Sequence, residues 1–479
     1  MMATFSIENF GCRATEADAT AIRHELLNSG LTPAASHASA GVIILNTCTV
    51  TAAADAQARE AVRKIHAANP AARVIVTGCY AQRAPAELAA IPGVTCVIGN
   101  SHQARILGLA LEFASGVTPE PARGPVDFVP VDKLQSHLPP SGAAKIITGD
   151  IFEQSSVQFA PSTFMAGDRT RPILKVQDGC NNRCSYCVIP FVRGRSRSLP
   201  PDRVISQIRV LLEAGVKEAV LSGINLGSYG RDFSPRVDLA GLVQRILDET
   251  SIERLRFSSI EPQDVTEDFA SLMASSARLA PHFHVPLQSG SDRILKAMHR
   301  WYRTAHYAQR LRVIRRAMPH AAIGADVIVG FPGERNEDFR ETVAFIDGLP
   351  FTYLHVFSFS ARPGTAGATL GDTVPASVIR ERAQVLRTLG RKKSAEFRSS
   401  QSGSTVRALT LARSGDDWTE AITGNYLKLH VPGRRPPNQW LDVRLGTEDC
   451  LEDVKIGLRQ SAFEDHLGER QVSAVGDGY

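Results

Sequence analysis

Cys180, Cys184 and Cys187 follow directly on Ile173–Gln177, a short apolar run that reads as a buried strand. This C-x3-C-x2-C spacing constrains the chain more than any other feature. Three thiolates on one short loop can hold three irons of a [4Fe–4S] cluster and leave the fourth iron without a protein ligand. An iron left open in that way can accept a substrate or a cofactor. Asn181-Asn182 and Tyr186 give the loop a polar, aromatic collar. The plainer alternative is a zinc knuckle, but zinc takes four ligands and no Cys or His follows at a suitable short spacing.

The chain behind the loop is a regular strand–helix series. Further strands are expected at Ala219–Ser222, Leu255–Ser258, His282–Val285, Ala325–Val329 and Tyr353–Phe359, with helices between them such as Pro201–Ala214 and Asp338–Leu349. Six βα units imply an open, partial (βα)6 barrel rather than a complete eightfold one.

An earlier series precedes it. Strands are expected at Thr4–Ile7, Gly41–Leu45, Arg73–Thr77 and Thr95–Ile98, and helices at Thr15–Asn28, Ala52–Ala67 and Gln82–Ala90. Continuous apolar strands alternating with helices imply a doubly wound parallel sheet. Cys12, Cys48 and Cys79 stand 36 and 31 residues apart, about one strand–helix–strand period. Each falls just past the C-terminal end of an expected strand, where ligands of open α/β sheets gather. The three thiols therefore converge on one edge as a second three-thiolate site, the bland alternative being three unrelated core cysteines. Cys96 and Cys450 have no such placement and are read as structural.

Residues 116–165 are rich in Pro and Gly and read as a linker with one edge strand near Lys145–Thr148. The tail alternates by twos, as in Thr405–Leu409 and Trp440–Leu445, which implies a small antiparallel β-barrel of the nucleic-acid-binding sort. The overall class is α/β, divided into an N-terminal sheet domain (1–115), the linker (116–165), the partial barrel (166–398) and the tail domain (399–465).

Composition narrows the function classes. With 43% hydrophobic and 22% charged residues over 479 positions, the chain is a multidomain globular protein and not a disordered one. No run approaches the ~18–20 apolar residues of a membrane span, and the start MMATFSIENFGC has no signal-peptide pattern, so a cytoplasmic protein without a membrane partner is expected. Eight cysteines are too few for a disulfide scaffold, and grouped cysteines in a reducing compartment point to metal or catalysis. A net charge of +5 permits a nucleic-acid partner without requiring one.

The run Gln177–Ser198, QDGCNNRCSYCVIPFVRGRSRS, resembles the cluster loop of radical S-adenosylmethionine methylthiotransferases. NFGC, NTCTVTAAAD and TGCYAQ resemble three blocks of that family's N-terminal domain. LSGINLGSYG, RFSSIEP, HFHVPLQSGSD, GADVIVGFPGE and HVFSFSARPGT agree in order, and Thr423–Val431 resembles its C-terminal TRAM domain. Asn181-Asn182, the GRSRS run and NTCTVT resemble the branch acting on threonylcarbamoyladenosine in tRNA (MtaB-like). The isopentenyladenosine branch usually reads Glu-Gly-Cys-Asp in the loop and carries Arg where Thr51 stands, and a third branch modifies a ribosomal protein. Thr15 departs from the family, which often has Asn there.

The resemblance implies two [4Fe–4S] clusters. One, on Cys180, Cys184 and Cys187, binds S-adenosylmethionine, whose one-electron cleavage yields a 5′-deoxyadenosyl radical. The other, on Cys12, Cys48 and Cys79, carries the sulfur delivered as methylthio to C2 of adenosine-37. It further implies a tRNA anticodon loop, a sulfur source and an electron donor such as flavodoxin or ferredoxin as partners. Candidate cofactor-binding positions at strand ends are Tyr186, Ser222, Gly223, Asn225, Glu261 for the ribose hydroxyls, Gln288, Ser289 and Asp326, each of which is otherwise an ordinary turn residue. Arg193 or Arg195 is the expected cation for the threonylcarbamoyl carboxylate. Trp418 and Tyr426 are expected to stack on RNA, whereas Arg310, Arg312, Arg315 and Arg316 read as a solvated helix face, and Arg391-Lys392-Lys393 form a basic run before the tail. Two other functions stay open: methylthiolation of isopentenyladenosine-37, and a non-catalytic zinc-containing RNA-binding protein.

Overall fold

A computed structural model describes residues 4–115, 144–154 and 169–446. Six parallel strands open the chain: β1 (Thr4–Asn9), β2 (Thr32–Pro33), β3 (Val42–Thr47), β4 (Arg73–Gly78), β5 (Val94–Gly99) and β6 (Lys145–Ile147), in the order β2-β1-β3-β4-β5-β6. Strand β3 shows why the sheet is covered on both faces. Its Ile43 and Leu45 pack with Val62 and Ile65 of α2 (Ala52–Ala68), while Val42 and Ile44 pack with Ile22 and Leu26 of α1 (Arg13–Asn28). Alternate residues of one strand thus feed two cores, which requires apolar side chains at successive positions. Thr51 starts α2 by accepting from the Ala54 amide at 3.2 Å.

The helix expected over 82–90 is two pieces, α3 (Cys79–Arg83) and α4 (Pro85–Ala89). Pro85 disfavours helical geometry at the preceding residue, and Ala84 sits at φ −141°, ψ 63°. The expected edge strand is β6, parallel to β5. Residues 116–143 and 155–165 of the linker lie outside the described residues.

The second unit carries β7 (Ile173–Asp178), β8 (Arg197–Ser198), β9 (Glu218–Gly223), β10 (Arg254–Phe257), β11 (His282–His284), β12 (Ala322–Val329) and β13 (Tyr353–Ser358). Two sheets, β10-β9-β7-β8 and β11-β12-β13, are joined by parallel bridges Leu255↔Leu279 and Ser259↔His284. The result is an open barrel of six parallel strands. Two-residue β8 adds an antiparallel edge to β7 that periodicity did not predict, being too short to show any. Leu174, Val176, Leu255, Phe257, Phe283 and Val327 face the helix layer. Lys175, Gln177, Arg254, Arg256, His282, His284, Asp326, Tyr353 and His355 alternate with such positions and line the lumen.

The tail forms an antiparallel half-barrel of β14 (Thr405–Ser414), β15 (Trp418–Thr423), β16 (Lys428–Pro432) and β17 (Trp440–Arg444), ordered β16-β15-β14-β17. Residues 447–465 of the expected barrel, with Cys450, lie outside the described residues. The sheet docks on the first residues of the barrel strands. Buried Glu218 accepts from Arg254 Nε (2.6 Å) and Arg256 Nε (2.8 Å), and these arginines donate to the carbonyls of Ile422 (3.0 Å), Thr423 (2.9 Å) and Gly424 (2.9 Å). No helix among the described residues is long and apolar enough to cross a membrane.

Candidate active site

The loop of Cys180, Cys184 and Cys187 is fastened at both ends. Gly179 has φ +73°, and a Cβ there would meet the Arg195 carbonyl oxygen at 2.0 Å, so the turn admits only glycine. The Cys180 amide donates to Gly194 O at 3.0 Å, and Ser185 donates through its amide to Met298 O (3.1 Å) and through Oγ to Ala297 O (2.8 Å). Gln177, fully buried, donates to Gly179 O (2.8 Å) and accepts from the Asn225 amide (2.8 Å). Burial, then the neighbouring Cys184, push the Cys187 thiol up to about 12. Arg300 Nη1 lies 3.2 Å from Cys184 Sγ, and its Nη2 pairs with Glu261.

The second triad converges as expected at the strand ends of the N-terminal sheet. Cys12 is the residue before α1, Cys48 follows β3, and Cys79 follows β4 and begins α3. A Cβ on Gly11 would meet Cys48 Cβ at 2.4 Å and Sγ at 2.8 Å, so glycine is what lets the Cys12 loop close on Cys48. Thr15, fully buried, donates to Cys12 O at 2.7 Å. Burial, then Cys12 and Cys79, raise the Cys48 thiol. Asn100 Nδ2 approaches Cys79 Sγ at 3.6 Å.

Buried thiols of raised pKa suit a metal group whose positive charge stabilises the thiolates. The described residues bring three potential ligand atoms within 4.8 Å of one another only at His284, Asp326 and His355. Each cysteine triad offers three thiols, which suits a four-iron cluster with one iron left free of a protein ligand better than zinc, which takes four ligands.

Arg193 joins the two triads. It lies on α5 (Ile189–Arg193), the helix closing the barrel loop, and is 2% exposed. Its Nε donates to Cys79 Sγ (3.3 Å), Nη1 to Asp178 (3.0 Å) and Nη2 to Asp18 of α1 (2.8 Å). Lys175 pairs with the same two carboxylates. Burial alone would raise Asp178, but Lys175 and Arg193 hold its carboxyl below the usual range. Val188 and Val192 pack on Cys79. This corrects the expectation that Arg193 receives a substrate carboxylate, because its donors are already spent on protein anions. Arg195 is exposed.

The other candidates divide. Ser222 Oγ and Asn225 Oδ1 are buried without a hydrogen-bond partner at the end of β9, and Asn225 Nδ2 points toward Cys180 Sγ at 4.0 Å. Orphaned polar atoms beside the cluster loop fit a polar cofactor. Tyr186 packs against Met298 and Phe331. A Cβ on Gly223 would meet Gln177 Oε1 at 2.8 Å, so glycine leaves room for that side chain. Glu261 is tied to Arg300. Gln288, at φ +67°, donates its amide to Asp326 O (2.8 Å). Ser289 is fully buried and bonded to Thr342 Oγ1 (3.3 Å) and the Ser291 amide (3.2 Å), so its hydroxyl faces the helix layer and not the lumen.

Asp326 Oδ1 lies between His284 Nε2 (2.9 Å) and His355 Nδ1 (3.2 Å), and these imidazoles, against the effect of burial, keep its carboxyl well below the usual range. Tyr353 hydroxyl bridges His282 Nε2 (2.8 Å) and His284 Nδ1 (3.0 Å). Tyr426 is not an RNA-stacking surface group. Arg254 and Arg256 draw its hairpin onto the barrel floor, where its ring stacks on His282 at 4.5 Å. Trp418 is already stacked on His430 at 3.7 Å. Lys393 is turned inward to Leu349 O (2.9 Å), and Arg315 to Ala321 O (3.1 Å), while Arg312 and Arg316 are exposed. Arg13, Arg300 and Asn100 were missed, since each joins the site through a contact distant in sequence.

Residues 174–346 match the Radical SAM superfamily and residues 4–99 the Uncharacterized protein family UPF0004. The chain is 34% identical to the threonylcarbamoyladenosine tRNA methylthiotransferase MtaB of Aquifex aeolicus over 89% of this chain and 96% of that one. It is 34% identical to the Bacillus subtilis protein of the same name over 98% and 96%. It is also 34% identical to a tRNA-2-methylthio-N(6)-dimethylallyladenosine synthase of Syntrophobacter fumaroxidans, over 78% and 77%. Among solved structures, the fold is similar to the radical S-adenosylmethionine methyltransferase TsrM of Kitasatospora setae, with a TM-score of 0.54, 15% identity and 77% of each chain covered.

Proposed function

The chain belongs to the radical S-adenosylmethionine tRNA methylthiotransferase family, and from that premise we propose that it inserts a methylthio group at C2 of N6-threonylcarbamoyladenosine at tRNA position 37. It is an enzyme that uses S-adenosylmethionine and [4Fe–4S] clusters. The observation that carries the finer reading is the alignment of nearly the whole chain with relatives bearing that substrate in their names.

We assign one cluster to Cys180, Cys184 and Cys187 and the other to Cys12, Cys48 and Cys79. When bound, the clusters and S-adenosylmethionine supply radical chemistry, which a C–H bond without useful acidity requires. The chain's own residues then hold and orient. Gln177 and Ser185 fix the barrel loop, Arg300 and Arg193 each donate to one thiol sulfur, and Ser222 and Asn225 at the end of β9 would offer free polar atoms to the bound cofactor. The nucleotide must leave the stack to reach such a site, which a single-stranded anticodon loop makes cheap. The TRAM-like tail, residues 399–465, the sheet domain and the barrel then act together in the cytoplasm, fed by an electron donor and a sulfur source.

The deciding assay offers reconstituted enzyme both hypomodified tRNAs in parallel. Methylthiolation of the threonylcarbamoylated tRNA is expected. Methylthiolation of only the isopentenylated tRNA sinks the reading and moves the protein to the neighbouring branch.

A further inference from the structure

Most buried arginines of this protein pair with a carboxylate, as Arg193 does with Asp178, Arg254 and Arg256 with Glu218, Arg300 with Glu261 and Arg382 with Glu334, whereas buried Arg197 donates to Gln154 O (3.4 Å) instead. Half-buried Arg13 is another exception. It follows Cys12 directly, its side chain enters the lumen, and its hydrogen bond goes to the Tyr426 hydroxyl at 3.4 Å. Among the described residues no carboxylate lies within ion-pair distance of it. The nearest acid it senses is Asp326, which is already held by His284 and His355.

The surroundings favour an anion. Arg256 lies 5.1 Å over the Tyr426 ring. Burial alone would raise the Tyr426 phenol, but Arg13, Arg171, Arg256 and Lys428 outweigh it and bring it down to about 8. Solvent still reaches the place, since Asp326 and His355 each keep 24% side-chain exposure. A guanidinium beside a phenol hydroxyl, both facing a polar lumen, matches a carboxylate next to a hydroxyl.

Resting on the substrate reading above, we propose that Arg13, with Tyr426, is the receptor for the carboxylate of the threonylcarbamoyl group and so determines specificity against the dimethylallyl group. An apolar substituent leaves the guanidinium unpaired, and a site built for a polar group rejects the analogue that lacks it. The same carboxylate chemistry occurs on the methionine moiety of S-adenosylmethionine, so the test separates the two sources.

The experiment measures binding of anticodon stem–loop RNA carrying the threonylcarbamoyl acid or its methyl ester to the reconstituted full chain, with S-adenosylmethionine affinity measured beside it. Wild-type protein is expected to bind the acid roughly 30-fold more tightly than the ester, the low end of the effect of losing one partner of a desolvated charge pair. Arg13→Gln is expected to bind acid and ester alike, and Arg13→Lys, which keeps the charge, to retain part of the preference. If Arg13→Gln fails to fold, the lysine variant decides: an undiminished preference overturns the assignment. An intact preference in Arg13→Gln overturns it too, as does a loss confined to S-adenosylmethionine affinity. Wild-type protein that methylthiolates the threonylcarbamoylated RNA without preferring acid over ester overturns the role of Arg13 alone. Wild-type protein active only on dimethylallylated RNA overturns the substrate reading itself.

Discussion

Arg193 Nε lies 3.3 Å from Cys79 Sγ, across 114 residues of chain. Through that contact the helix that closes one cysteine loop touches a member of the other triad. The same guanidinium holds Asp18 and Asp178, and Lys175 completes a buried set of two cations and two anions. Such a set is sensitive to loss of any one member, because removing a charge leaves its partners desolvated and unpaired.

Arg193→Gln is therefore expected to destabilise the contact between the sheet domain and the barrel by about 3–5 kcal/mol. Thermal unfolding of the reconstituted protein should move to lower temperature, and iron bound at the N-terminal triad should fall. Arg193→Lys should be intermediate, since it restores charge without the planar fork. An unchanged melting profile and iron content in Arg193→Gln would contradict the network.

Two clusters imply about eight irons per reconstituted chain. Changing Cys180, Cys184 and Cys187 together to Ala should leave roughly half and abolish cleavage of S-adenosylmethionine. Changing Cys12, Cys48 and Cys79 should also leave about half, but spare that cleavage and stop methylthiolation. Full iron in either triple variant would refute the assignment of that triad.

Glu218 is fully buried between Arg254 and Arg256, and although burial opposes it, Arg256, Arg171 and Arg254 bring its carboxyl down to about 2. A depressed carboxyl stabilises the fold above its unfolded value near 4.5, and that stabilisation is lost as pH falls through about 2. Glu218→Gln should free the tail sheet at neutral pH, since both arginines that bind its carbonyls lose their shared anion. Limited proteolysis between barrel and tail reads this directly, and wild-type resistance in the variant would show that the carbonyl contacts suffice.

The Tyr426 phenol, at about 8, faces Arg13, Arg171, Arg256 and Lys428, with His282 and Tyr353 packed against it. Its ionisation creates an anion that competes for Arg13. The KM for threonylcarbamoylated tRNA should rise several-fold between about pH 7.5 and 9, the span in which such a phenol goes from mostly neutral to mostly charged. Tyr426→Phe should flatten that rise. A steep rise persisting in the variant would assign the titration to another group.

Local patterns in the chain were enough to place both cysteine triads. Cys12, Cys48 and Cys79 stand at strand ends because runs such as residues 42–45 are apolar at every position, which a strand buried on both faces demands and which neighbouring residues alone reveal. The six barrel strands and Cys180, Cys184 and Cys187 behind the first were legible for the same reason. Tertiary structure decided which polar side chains serve the site. Nothing near Arg193 in sequence distinguishes it from Arg195, yet one is buried against Cys79, Asp18 and Asp178 and the other is exposed. Tyr426 reads as an RNA-stacking aromatic until Arg254 and Arg256 hold the carbonyls beside it, and no local pattern marks Arg13, which α1 carries into the lumen. Strand position is set by the periodicity of adjacent residues, whereas the partner of a charge is set by which distant elements pack together and exclude water from it.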